Sequence, residues 1–200
     1  MSHLPPPSCE LDQWALTELA KRLRGGESVA VMLIGIGAED QALRMAEAGA
    51  QVLLFSDHEP LGHDRITQLP VLSFSETGAE FPLSDFDIIL TQRNLARLRY
   101  DDARTMVRSL LKRLKIGGKL FISLYGIHSE LGDNYPDGSK LVNERLAEID
   151  PRMAAHYGLN EPLCLYSERN LFSLLVESGC AVLKTSTSVL GHVRGIAARI

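Results

Sequence analysis

The stretch Val29–Glu59, VAVMLIGIGAEDQALRMAEAGAQVLLFSDHE, leaves the chain few folds to choose from. Val29, Val31, Met32, Leu33 and Ile34 form an apolar run too short for a helix and rich in β-branched side chains. Gly35 and Gly37 follow, and from Asp40 to Ala48 the apolar residues Ala42, Leu43, Met45 and Ala46 recur at helical spacing. Gly49 closes that helix, and Gln51–Phe55 is a second apolar strand ending at Ser56 and Asp57. This is a βαβ unit, whose two parallel strands require a crossover that is nearly always right-handed. Glycines at the first turn let a ligand approach the backbone, and an acid about 20 residues on accepts hydrogen bonds from ribose hydroxyls. The pattern implies a nucleoside-containing ligand.

Two hundred residues suit one domain with a full-sized core. Pro5–Pro7 cannot donate backbone hydrogen bonds, so residues 1–9 read as a flexible leader and 10–200 as a single domain. A net charge of −4 gives no general attraction to nucleic acid or to acidic membranes. No apolar run reaches the roughly 18–20 residues of a membrane span, and the N-terminus lacks a signal-peptide pattern. Cys9, Cys164 and Cys180 have no CxxC spacing and read as free thiols, which places the chain in the cytoplasm.

Glu10–Arg24 has helical spacing, with Leu11, Trp14, Ala15 and Leu19 on one side and Gly25-Gly26 as its stop. The run from His58 to Pro70 reads as a short helix or loop, and Val71–Phe74 as a brief strand. Phe86–Thr91 is the next strand, Tyr100–Lys115 an amphipathic helix stopped at Gly117-Gly118, and Lys119–Tyr125 a further strand. Leu141–Tyr157 reads as one helix, or two divided near Pro151. Ser167–Ser178 is helical, and Ala181–Val189 and Gly195–Ile200 close the chain as neighbouring strands. Strands and helices alternating, then two strands in succession, predict a doubly wound α/β fold, its sheet mostly parallel with an antiparallel last strand.

Taken in order, LIGIG, the acid Asp57, FDIIL, LLKRLKIGGKLFISLYG and ERNLFSLLVESGCAVLKTSTS resemble the motifs of class I S-adenosylmethionine-dependent methyltransferases over residues 28–200. The resemblance implies a seven-stranded sheet and S-adenosylmethionine as cofactor, bound over the ends of the first two strands. It also implies that residues 126–166, between the fifth and sixth strands, shape a pocket for a small-molecule substrate. Gly35, Gly37 and Asp57 fall at the family's cofactor positions, and His58, read as a rim contact, and Thr91 are further candidate cofactor contacts. Two positions depart from the pattern. Leu33 stands where most members carry an acid, and Glu39 where the third glycine would be. Glu39 either replaces the missing acid or complements the helix dipole. Together with Asp40 it would repel a dinucleotide's pyrophosphate at this helix start.

Methyl transfer is an in-line displacement governed by positioning, and a base is needed only if the acceptor must lose a proton. Candidates follow the fourth and fifth strands: Thr91, Gln92 and Asn94, then Tyr125 and His128, with His128 the preferred base. His58 and His63 lack the spacing of metal ligands, so no metal is expected. Arg93, Arg97, Arg99, Arg104, Arg108, Lys112 and Arg113 read as a solvated helix face rather than a nucleic-acid surface, because stacking aromatics are scarce there. The alternative to an enzyme is a catalytically inactive protein of this fold that serves a protein partner as a regulatory or structural subunit.

Overall fold

The computed structural model describes residues 9–35, 37–71 and 85–200. The predicted leader lies almost wholly outside these residues; the first helix, α1 (Cys9–Arg24), begins at their edge. Next come β1 (Ala30–Gly35), α2 (Glu39–Glu47), β2 (Gln51–Phe55), β3 (Ile66–Leu69) and β4 (Phe86–Gln92). The second half holds α3 (Tyr100–Arg113), β5 (Leu114–Leu124), α4 (Pro151–Tyr157), α5 (Glu168–Glu177), β6 (Ala181–Thr187) and β7 (Val193–Ala198). Seven strands form one sheet in the order β3-β2-β1-β4-β5-β7-β6. The pairs from β3 to β5 are parallel, and β7 runs antiparallel to both its neighbours. The doubly wound sheet expected from the sequence is present, antiparallel last strand included.

Each face of the sheet is apolar: Val31–Ile34 of β1 and the whole of β4 are buried and need cover on both sides. On one face Leu11, Ala15 and Leu19 of α1 and Ala42, Met45 and Ala46 of α2 pack on Val31, Leu33, Leu54, Ile88 and Leu90. On the other, α3, α5 and the 126–166 segment cover Met32, Ile34, Leu53, Ile89 and Ile122. The chain leaves β1 toward β2 on one side and reaches β4 on the other. Such a switch in strand order opens a crevice at the carboxyl edge, where open α/β sheets bind ligands.

Several local expectations change. Helix α3 ends at Arg113 and β5 begins at Leu114, so Gly117-Gly118 lie inside the strand rather than between helix and strand. The stretch before Pro70 is not helix or loop throughout: Ile66–Leu69 pairs with Val52–Phe55 as the edge strand. An edge strand needs less apolar cover than a central one, and here Thr67 and Gln68 stand between Ile66 and Leu69, so the segment lacks the continuous apolar run of β1. Val71 is a turn residue, and the rest of the strand predicted at Val71–Phe74 falls outside the described residues. Between β5 and α5, the 3-10 turn Val142–Glu144 and the separate helix α4 match the two-helix alternative. At the far end, β7 starts at Val193 rather than Gly195.

Residues 126–166 are packed rather than trailing. Tyr135 donates its hydroxyl to the Leu163 carbonyl at 2.6 Å, and Cys164 donates its N–H to the Ala96 carbonyl at 2.7 Å. Arg145 holds both the Leu165 carbonyl and Asn170 Oδ1, the latter at the capping box that starts α5.

Candidate functional site

β1 ends at Gly35, whose φ is 137° and whose Cα pairs in register with Gln92 at the end of β4. A Cβ on Gly35 would stand 2.3 Å from the Gln92 carbonyl oxygen, so only glycine allows β1 and β4 to close here. Gly37, with φ 73°, completes the turn into α2. The helix starts at Glu39, and no side chain caps it. Its first N–H groups face the crevice end of the sheet.

Glu39 turns toward β2. It accepts a hydrogen bond from the Ser56 hydroxyl and another from His58 Nδ1 at 2.7 Å. Burial pushes its carboxyl upward, but the bonds from Ser56, its own backbone and His58 outweigh that and hold it below the ordinary range. Asp57 is exposed at the end of β2 and accepts the Val71 N–H at 2.9 Å. His58 stands at the rim with its side chain 72% exposed. A cleft of about 790 Å³ opens beside these residues, lined by Ser56, Asp57, His58, Leu61 and Gln68. Gln68 sets its wall, donating to the His58 carbonyl at 2.8 Å and accepting the Leu61 N–H.

Thr91 is buried in β4 opposite Ile34 and Ile122, one residue below the crevice floor. Gln92 lies on the face covered by α1 and α2. There its amide nitrogen donates to Asp12 Oδ1 at 2.5 Å. Gln41 Nε2 of α2 donates to the Asp12 carbonyl at 3.1 Å. Burial pushes the Asp12 carboxyl up to about 6, against the pull of Arg44, Gln92 and Arg93. Asp12 was legible in principle: it sits three residues before Ala15 and seven before Leu19, on the apolar stripe of α1.

Beyond β4, Arg93 adopts φ 62° and lays its guanidinium 5.2 Å from the Tyr125 ring centre. Tyr125 is 2% exposed, and its hydroxyl is buried without a hydrogen-bond partner. The edge of its ring meets His192 at 5.7 Å between centroids. His192 Nδ1 accepts the Gly126 N–H at 3.4 Å. Burial, then Arg93, drives this imidazole down to about 4, so it is neutral at pH 7, with Nδ1 as the acceptor of the Gly126 N–H. The turn carrying it is locked: a Cβ on Gly126 would lie 1.7 Å from the Gly191 carbonyl, and one on Gly191 2.3 Å from that of His128. His128 itself is exposed on the next turn. The structure thus brings Gly35, Thr91, Gln92 and Tyr125 to one edge, with Asp57 and His58 beside them and His128 at the lip. Sequence reading missed Asp12, Gln41 and His192 as site residues.

The low value for His192 has a consequence for stability. Its folded-state pKa lies below the unfolded value of 6.5, so the contribution is complete above pH 6.5 and lost as pH falls toward 4. The loss reaches about 3 kcal/mol at about 1.4 kcal/mol per unit. Asp12 runs the opposite way, since its raised value makes burial of its charge a cost that is relieved as pH falls below about 6. The two are separated by comparing melting temperatures of wild type and His192→Asn at pH 7 and pH 5. The variant is expected to lose less stability on acidification.

No protein-family profile matches the sequence, and no curated protein matches it. Solved structures do. The CcbJ methyltransferase from Streptomyces caelestis aligns with a TM-score of 0.64 at 12% identity, over 98% of this chain and 90% of that one. The 1,6-didemethyltoxoflavin-N1-methyltransferase from Burkholderia thailandensis, solved with 1,6-didemethyltoxoflavin and S-adenosylhomocysteine, gives 0.62 at 16% identity, over 94% and 78%. The chain has the class I methyltransferase fold. A Rhodobacter sphaeroides protein provisionally assigned as a Zn-dependent alcohol dehydrogenase gives 0.63 at 15% identity, over 97% and 91%. Likeness at these identities is likeness of fold, and the chemistry of this methyltransferase-fold chain rests on its own residues. Among the described residues no group of three or more His, Cys, Asp or Glu side chains is placed to hold a metal ion. No helix among them is long and apolar enough to cross a membrane.

Proposed function

We propose that this chain binds S-adenosylmethionine at the carboxyl edge of β1 and β2 and transfers its methyl group to a small-molecule acceptor. The observation that carries the reading is the shared edge: the Gly35–Gly37 turn, pressed on β4, and the exposed Asp57 carboxylate stand at adjacent strand ends in a sheet of this order. Gly35 and Gly37 let the donor approach the backbone, Asp57 accepts its ribose hydroxyls, and His58 flanks the adenosine end. Thr91 supports the floor from β4. The residues present also fit an ammonium-bearing sulfonium ligand better than a dinucleotide. Glu39, held ionised by Ser56 and His58, and Asp40 beside it place negative charge where a pyrophosphate would sit.

The bound donor supplies an electrophilic methyl group on a positively charged sulfur. The chain's share is positioning and proton handling. Tyr125 offers a buried hydroxyl to the acceptor, the 126–166 segment walls the pocket, and His128 at the lip takes the proton of an acceptor that must lose one. His128→Ala is expected to lower turnover on such an acceptor by about 100-fold or more while leaving donor affinity unchanged.

Thermal melting with added ligands tests the reading. S-adenosylhomocysteine is expected to raise the melting temperature of wild type and to do so far less for Asp57→Ala. Stabilisation by NAD in its place would move the assignment to a dinucleotide enzyme. Stabilisation by neither would favour a non-catalytic protein serving a partner.

A further inference from the structure

Two buried glutamines, Gln92 at the end of β4 and Gln41 in α2, are oriented by one residue. Gln92 gives its amide nitrogen to the Asp12 carboxylate, and Gln41 gives its amide nitrogen to the Asp12 carbonyl. Flipping either amide would set oxygen against oxygen, so both nitrogens are committed. Their oxygens are then left over. Gln41 Oε1 and Gln92 Oε1 are buried, in residues 2% and 1% exposed, and neither accepts a hydrogen bond. Buried acceptors are nearly always satisfied, and a pair of orphans anchored on one buried carboxylate calls for an N–H-rich partner.

The place matters as much as the chemistry. Gln92 pairs in register with Gly35, and Leu33 lies on the same covered face, in the core under α1 and α2. Where an acid at the end of β1 would project there is leucine, and Asp12 reaches the neighbouring end of β4 from α1. Arg44 and Arg93 stand near enough to act on the Asp12 carboxylate, and no carboxylate within ion-pair distance of Arg93 is found among the described residues. We propose that Asp12, with the free amide oxygens of Gln41 and Gln92, recognises the primary ammonium group of the donor's amino-acid tail, so that α1 supplies the acid β1 lacks. The inference rests on the function proposed above and adds a residue to its site.

Calorimetric titration of S-adenosylhomocysteine and of 5′-methylthioadenosine, which lacks the amino-acid tail, into wild type, Asp12→Asn and Gln41→Met separates the two claims. Melting curves establish that each variant is folded. Asp12→Asn is expected to weaken S-adenosylhomocysteine by about tenfold or more and Gln41→Met by a smaller factor, with 5′-methylthioadenosine changed less than about twofold. Equal weakening of both ligands, or no weakening of either, would make Asp12 a structural anchor of α1 and overturn the inference while leaving the donor site standing. A folded wild type that binds neither ligand would overturn the proposed function and this inference together.

Discussion

Gly35→Ala is expected to destabilise the protein by about 3 kcal/mol or more, the sum of an overpacking cost and a strained backbone. The added methyl would meet the Gln92 carbonyl oxygen at 2.3 Å and its nitrogen at 3.0 Å, both backbone atoms that cannot swing away. The φ of 137° is itself a conformation that residues with a Cβ avoid. Relief requires β1 to part from β4 at the centre of the sheet, where both strands are buried. Gly37→Ala has a milder expectation of about 1–2 kcal/mol for a left-handed φ of 73°. Urea titration reads both from the midpoint at constant slope. A Gly35→Ala midpoint equal to that of wild type would mean that the register of β1 on β4 is wrong.

The second large effect lies at the opposite edge. Asp87 opens β4 with a side chain only 3% exposed, yet it is fully partnered. It accepts the Ala30 N–H at 2.9 Å, Lys115 Nζ at 2.8 Å and Arg22 Nη1 at 3.3 Å, tying α1, β1 and β5 to β4. Asp87→Ala leaves a buried donor and two cations without their acceptor and is expected to cost about 3 kcal/mol, near the low end for a broken buried pair. The low end applies because Lys115 is 43% exposed and rehydrates. Arg22 keeps Glu18 and the Gly117 carbonyl. Lys115→Met is expected to cost about 1 kcal/mol or less, as for an exposed partner. Denaturation of both variants checks the asymmetry; equal costs would contradict it.

The parts of this molecule that were legible in the sequence are those whose cause is local. β1, α2 and β2 announce themselves because burial on both faces demands continuous apolar strands and glycines at their turns. The same reasoning found α3, α5 and the final strand pair. β3 escaped because an edge strand of four residues needs apolar contact on one side only. The site divides the same way. Gly35, Gly37 and Asp57 sit where chain order alone sends them, at the ends of β1 and β2. Asp12 meets Gln92 across 80 residues of sequence, and His192 meets Gly126 across 66. Spacing within an element carries no information about such meetings. Only α1 crossing the carboxyl edge, and the Ser188–His192 turn locking onto Gly126, brings them to the crevice.

The most direct test of the account is a crystal structure of the chain grown with S-adenosylhomocysteine. The ribose is expected at Asp57, the thioether over the Gly35–Gly37 turn, and the ammonium group against Asp12, Gln41 and Gln92. Ligand bound away from the ends of β1 and β2, or crystals without it at saturating concentration, would contradict a methyl-donor site at this edge of the sheet.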